Sequence, residues 1–378
     1  MDDVPRRPGL APVLHLATAD LTATPLRRRH LVTPEQRDAA YHSGYDRTTL
    51  WYDAFWRDGA VTIIAPPLMN LKRPVFGAAI TLDGRPARLR RVARFQRYEI
   101  LRIAAPRPPE EIVLKGGDWA LQSGIARADT ERLAGKNVIL TISRDNELDW
   151  IRDFALFHKK TQGAEAVLFI DNGSGEYAPE AVAELLRSCG LQPLVVTAPL
   201  PYGPVLEGAR HKHAAKFFRT AMLNVARLRF LPTARAVLNV DIDELVWSEG
   251  KSVFDMAAES MIGFAPFAGR WRNPGPDAGQ PPSHADHLWR RNILKDCPAK
   301  YAVAPGRLAG RLSWDVHRLE RLPFKDRFLR KDAGYWHCSG ISTGWKYVQR
   351  LTRRGGDGID EHMARRLEDA LGPIGRGP

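Results

Sequence analysis

Between Asn137 and Val240 the chain alternates short apolar runs with amphipathic stretches, and this rhythm constrains the fold more than any other feature. Residues 137–143, 166–170, 193–197 and 234–240 have strand length and are predominantly apolar, as strands buried on both faces are. The stretches between them carry a helical period. Trp150, Ile151, Phe154, Phe157 and His158 fall on one face of a helix predicted over 147–162, with Asn146 as its expected N-cap. A second helix is expected over 178–188, stopped at Gly190, and a long one over 208–230, where Ala214, Phe217, Phe218, Ala221, Met222, Val225 and Leu228 recur at helical spacing. Strands separated by helices predict an α/β domain with a mostly parallel sheet and flanking helices.

Before Leu133–Lys136 the rhythm differs. Runs at 61–64, 76–82, 88–95, 98–103 and 111–114 are β-prone and punctuated by Pro66-Pro67, Asp83-Gly84 and Gly116-Gly117. The organisation expected is a smaller β-rich domain over 1–135, the α/β domain over 136–354 and a tail over 355–378. The first 45 residues, rich in Pro, Thr and Arg, are expected to be partly disordered or to wrap the surface, and the stretch 266–282 is Pro- and Gly-rich, with mixed short elements after it.

Composition removes several classes of function. No run approaches the roughly 20 apolar residues that span a bilayer, and the N-terminus lacks the apolar core of a secretory signal, so a cytoplasmic protein is expected. Cys189, Cys297 and Cys338 lie far apart with no CxxC spacing, which argues against both a disulfide framework and a structural zinc site. A net charge of +13 favours anionic partners: nucleic acid, acidic lipid or phosphorylated substrates.

In open α/β sheets ligands bind beyond the carboxyl ends of the strands. Here those ends read Arg144-Asp145-Asn146-Glu147, Asp171-Asn172 and Asp241-Ile242-Asp243-Glu244. In an extended segment Asp241 and Asp243 point the same way and can share one hard cation, while Glu244 points away unless the chain turns. Mg²⁺ or Mn²⁺ held there could bridge the two phosphates of a nucleoside diphosphate.

These segments resemble glycosyltransferases of the GT-A fold, close to families 2 and 92 of those enzymes in bacterial polysaccharide synthesis. The resemblance rests on 137–147 with Trp150-Ile151, on Phe169-Ile170-Asp171-Asn172-Gly173-Ser174, and on Leu238-Asn239-Val240-Asp241-Ile242-Asp243-Glu244-Leu245. It extends to Cys297-Pro298-Ala299-Lys300-Tyr301, His317 and Trp336-His337-Cys338 with Trp345-Lys346. It implies a metal-dependent transferase moving a sugar from a nucleotide sugar, a UDP-sugar first, to a glycan or lipid-linked acceptor, without nucleic acid as a partner. Arg144, Glu147 and Asp171 would hold base and ribose. Asp243 would ligate the metal directly, and Asp241 would reach the metal through water or hold the ribose. His337 would be a third ligand, with His317 as competitor, and Lys346 would meet the diphosphate.

For the base that activates the acceptor, Asp286, Asp296 and Asp315 lie in the right part of the chain, Asp286 being taken first. Trp271 and Trp289 could stack on an acceptor sugar, and Arg210, Lys212, Lys216 and Arg219 could face phosphates or solvent. Basic residues Arg307, Arg311, Arg318, Arg321, Lys325, Arg327, Arg330 and Lys331 suit peripheral contact with an anionic membrane face. A metal-dependent nuclease or phosphohydrolase, and a non-catalytic carbohydrate-binding protein, are the alternative functions. The first would need further carboxylates beside Asp241 and Asp243, and the second leaves the acidic strand end without a role.

Overall fold

The computed structural model describes residues 11–206, 213–291, 297–343 and 354–374. The N-terminal half is β-rich. After β1 (Val13–His15), β2 (Asp53–Arg57) and β3 (Ala60–Ala65) form a hairpin around Asp58-Gly59, and β4 (Leu89–Arg94) and β5 (Glu99–Ala104) extend it in the order β2-β3-β5-β4. Glu111–Lys115 pairs with Ala79–Leu82 and Ala120–Gly124 in a separate antiparallel sheet. The run expected as a strand over 76–82 begins as the end of a short helix, Lys72–Gly77, because Pro74 fits an early helical turn.

The α/β half begins with β6 (Asn137–Ser143), α1 (Leu148–Gln162), β7 (Ala166–Asp171), α2 (Pro179–Ser188), β8 (Gln192–Thr197), α3 (Phe217–Val225) and β9 (Ala236–Asn239). It continues with β10 (Glu244–Ser248), β11 (Phe264–Asn273), β12 (Cys297–Val303), β13 (Arg330–Cys338) and a closing helix, α4 (Glu361–Leu371). One sheet runs through all of these strands in the order β1-β8-β7-β6-β9-β12-β11-β13-β10. From β1 to β9 every pairing is parallel; beyond β9 the sheet is mixed.

Both sheet faces are buried, which explains the predominantly apolar strands. Ile139, Val167, Phe169 and Leu238 pack with α1 and α4 residues such as Phe154 and Leu367. Val138, Leu140, Leu168 and Val237 face α3 and a set that includes Tyr52, Phe55, Ile64 and Tyr98 of the β-rich half. The two halves therefore share a core. Arg229 also donates to both oxygens of the buried Asp53 on β2, at 3.0 and 2.9 Å, and β1 forms the edge of the α/β sheet.

Local differences from the sequence reading have physical causes. Asn146 does not cap α1: its amide donates to Ser143 Oγ at 2.7 Å, and Glu147 takes the N-cap position without a side-chain cap. The helix expected over 208–230 begins only at Phe217, after a turn at 213–215, and widens into a π-helical turn at Ala226–Phe230, while Arg210 and Lys212 lie outside the described residues. The Pro- and Gly-rich stretch opens within β11, which runs between β12 and β13. Gly269 permits this, since a Cβ there would stand 2.2 Å from the Tyr335 ring. No helix among the described residues is long and apolar enough to cross a membrane.

Candidate functional site

The acidic strand end folds as a turn, not as an extended segment. After β9, Glu244 N donates to Asp241 O at 3.0 Å, and Asp241 N donates back to a Glu244 carboxylate oxygen at 2.8 Å. This reverses the expected side-chain directions: Glu244 swings into the site and Asp241 is drawn aside. His284 fixes the turn from behind, its Nε2 lying 2.9 Å from Ile242 O.

Strand register then assembles a cluster. Glu244 opens β10 directly opposite His337 on β13, and Cys338 N donates to Asp243 O at 2.8 Å. Carboxylate atoms of Asp243 and Glu244 and a ring nitrogen of His337 lie within 4.8 Å of one another. His337 Nε2 is 2.9 Å from Asp243 Oδ2, and the ring stacks on Trp271 at 3.8 Å between centroids. Trp271 thus orients the histidine from the neighbouring strand. Two carboxylates and an imidazole are donors that a divalent cation such as Mn²⁺ accepts, with the carboxylates also suiting Mg²⁺.

Asp241 is outside this cluster. Arg219 on α3 pairs with one of its oxygens and Lys300 Nζ lies 2.9 Å from the other. The Lys300 side chain is fully buried and also bonds Glu244 at 2.8 Å, so one ammonium ties the two acids together. The extended geometry that would make Asp241 and Asp243 joint metal ligands is replaced by this clamp. The charges shift one another as their surroundings dictate. Burial pushes the Glu244 carboxyl up, while Lys300 works against that rise. Burial opposes charge on Arg219, yet Asp241 holds its pKa above the ordinary value. For His337 burial is likewise overcome, chiefly by the Asp243 carboxylate, and the ring is raised to about 10 in the metal-free protein.

The cluster lines one part of a cavity of about 550 Å³. Arg144, Lys216 and Arg219 also line it, as does Arg97, which the β-rich half contributes. Arg97 donates to Asp315 at 3.0 Å, and Thr220 Oγ1 donates to the same oxygen at 2.8 Å. His317 is at this rim too, its Nδ1 3.1 Å from Ala299 O, and it is not part of the acidic cluster. An adjoining cavity of about 730 Å³ shares Arg144 and is lined by Glu147 and Trp150.

The remaining expected residues divide. Asp171 ends β7 beside Ser143 at the same rim of the parallel strands, but it accepts from Ser174 N at 3.2 Å and from Ser174 Oγ, and it lines neither cavity. Asp286 accepts from Ser283 N at 2.7 Å and Ser283 Oγ at 2.9 Å in a capping box, and it too lines neither cavity. Asp315 is the cavity-lining carboxylate of the three candidate bases; Asp296 and Lys346 lie outside the described residues. Lys300 and Arg97 were not singled out for the site by the sequence. The available signal for Lys300 was a lysine directly preceding the apolar run Tyr301-Ala302-Val303, because a buried ammonium requires acidic partners.

No protein-family model matches the chain, and no curated protein matches its sequence. Among solved structures, S. aureus TarS is similar at a TM-score of 0.30 and 13% identity over 62% of this chain, and the match spans 43% of that chain. The 1–349 structure of TarS gives 0.29 at 14% identity, over 62% of this chain and 70% of that one. A mycobacterial protein gives 0.26 at 14%, over 54% and 66%.

Proposed function

We propose that the protein is a glycosyltransferase that uses a divalent cation, Mn²⁺ or Mg²⁺, and a nucleotide-sugar donor, with UDP-sugars the first to test. The observation that carries this reading is the convergence of Asp243, Glu244 and His337 in a cavity that Arg144, Lys216 and Arg219 also line. A cation site beside basic side chains suits a diphosphate leaving group. The family resemblance of the strand-end segments turns the choice from phosphate hydrolysis to sugar transfer.

In this reading Asp243, Glu244 and His337 hold the cation, which when bound supplies neutralisation of the charge that develops on the departing diphosphate. Trp271 fixes the imidazole plane. Lys300 and Arg219 restrain Asp241 and so set the shape of the turn that presents Asp243. Arg144 and Lys216 attract the diphosphate, and the nucleoside extends toward the adjoining cavity lined by Glu147 and Trp150. Asp315 holds Arg97 against the opposite wall, where a glycan or lipid-linked acceptor would enter.

The test is a panel of nucleotide sugars offered to the full-length protein with and without Mn²⁺. Metal-dependent release of nucleoside diphosphate and a raised thermal midpoint with one donor are expected. Stabilisation by oligonucleotide, with no response to any nucleotide sugar, would overturn the assignment.

A further inference from the structure

Large apolar side chains that gather on one exposed face mark an interaction surface. Six are exposed among the described residues, and four of these, Met261, Leu308, Phe324 and Leu329, belong to three segments that meet. Ala309 N donates to Ile262 O at 2.8 Å, which brings Leu308 beside Met261. Phe328 packs edge-on against Phe264, 6.1 Å between centroids, and carries its own segment to the same region. The exposure is large: 88% for Met261, 75% for Phe324 and 63% for Leu308.

Cations surround these tips. Arg307, Arg311, Arg321, Arg327 and Lys331 are all exposed, and the Arg327 guanidinium lies over the Phe324 ring at 5.2 Å. Of the acids nearby, Asp332 pairs with Arg330 and Glu259 with Lys251, while Asp326 is exposed. Basic charge therefore dominates the face.

We propose that this face docks the protein on an anionic lipid bilayer, with Met261, Leu308, Phe324 and Leu329 entering the headgroup region and the surrounding arginines and Lys331 meeting lipid phosphates. Interfacial binding of this kind combines buried apolar area with attraction to anionic lipid, and the face supplies both. A nucleic-acid backbone would be met by the cations alone and would leave the apolar tips in water. The site lies close by. The hairpin of Trp314–Asp315 and Arg318–Leu319 places Asp315 and Arg318 at the central cavity, and its continuation carries Arg321 and Phe324. In the proposed transfer reaction, docking here would hold the cavity next to a lipid-linked acceptor. The surface stands independently of the proposed transfer reaction, since vesicle binding is measured without substrate.

The experiment is flotation of the full-length protein with vesicles of phosphatidylcholine alone or mixed with phosphatidylglycerol. Binding only to the anionic vesicles is expected. The combined change of Met261, Leu308, Phe324 and Leu329 to Ser should lower it by at least about ten-fold, with an unchanged thermal midpoint because these side chains are exposed. The single variants Phe324→Ser and Leu308→Ser, each weakening binding, keep the test intact if the combined variant folds poorly. Arg321→Glu with Arg327→Glu should abolish binding. No flotation with anionic vesicles at low salt, or parent-like flotation by the serine variants, would overturn the proposal. So would equal binding to single-stranded RNA that is lost in the same variants.

Discussion

The buried ammonium of Lys300 lies 2.9 Å from Asp241, and with a second bond to Glu244 it closes the acidic turn from beneath. Removing it should therefore damage the fold, not only the site. Lys300→Met leaves the buried Glu244 carboxylate without its cation, while Asp241 keeps Arg219; such one-sided breaking of a buried pair costs about 3–5 kcal/mol. Chemical denaturation of the metal-free protein checks this. A loss below about 0.5 kcal/mol, the usual range for surface changes, would show that the clamp is incidental.

A second buried pair joins the two halves of the molecule. Arg229 reaches Asp53 with both oxygens engaged, and burial pushes the Asp53 carboxyl up against the pull of the guanidinium. Arg229→Met should destabilise by about 3–5 kcal/mol, and adding Asp53→Asn should recover part of that loss because no unpaired charge then remains. Simple additivity of the two changes would contradict the pairing.

Two histidines are wired as neutral rings, and this gives the protein an acid limit. His158 Nδ1–H donates to Phe154 O at 2.8 Å while its Nε2 accepts from Val246 N at 3.2 Å. His287 donates in the same way to Ser283 O and accepts from Gly340 N at 2.9 Å. Burial lowers them to about 4 and about 3, respectively. Their folded values lie below the unfolded one near 6.5, so their contribution is fully present above that pH. It is lost as pH falls from about 6.5 toward 4, on the order of 3 kcal/mol for His158 alone. Denaturation at successive pH values should show this slope, and His158→Gln should flatten it. An unchanged slope in that variant would place the acid sensitivity elsewhere.

The parallel half of the sheet was legible because its information is local. The apolar runs around Leu140 and Leu168, and the helical spacing of Trp150, Phe154 and Phe157, state strand and helix without reference to distant residues. The parts of the site that depend on register were not. Glu244 joins His337 only because β10 pairs with β13, and Lys300 reaches Asp241 only because β12 lies beside β9. The alternation rule failed at Asp241 for a local reason: the strand ends at Asn239 and a turn begins, so period two no longer applies. Asp171 and Asp286 attracted attention as acids near a strand end or in a loop, and both are occupied by nearby serines, the usual employment of such residues.

In the proposed reaction Asp243 acts through a divalent cation. Asp243→Asn keeps the side-chain shape beside His337 but removes a charge from the donor set, so the protein should fold and yet lose transfer. The measurement is the transfer rate at saturating Mn²⁺ and donor, with Asp286→Asn as the comparison, since Asp286 serves its own turn. A fall of about 100-fold or more is expected for Asp243→Asn, or ~3 kcal/mol of transition-state stabilisation, and near-parent transfer for Asp286→Asn. Parent-like transfer by Asp243→Asn, with donor affinity unchanged, would contradict it.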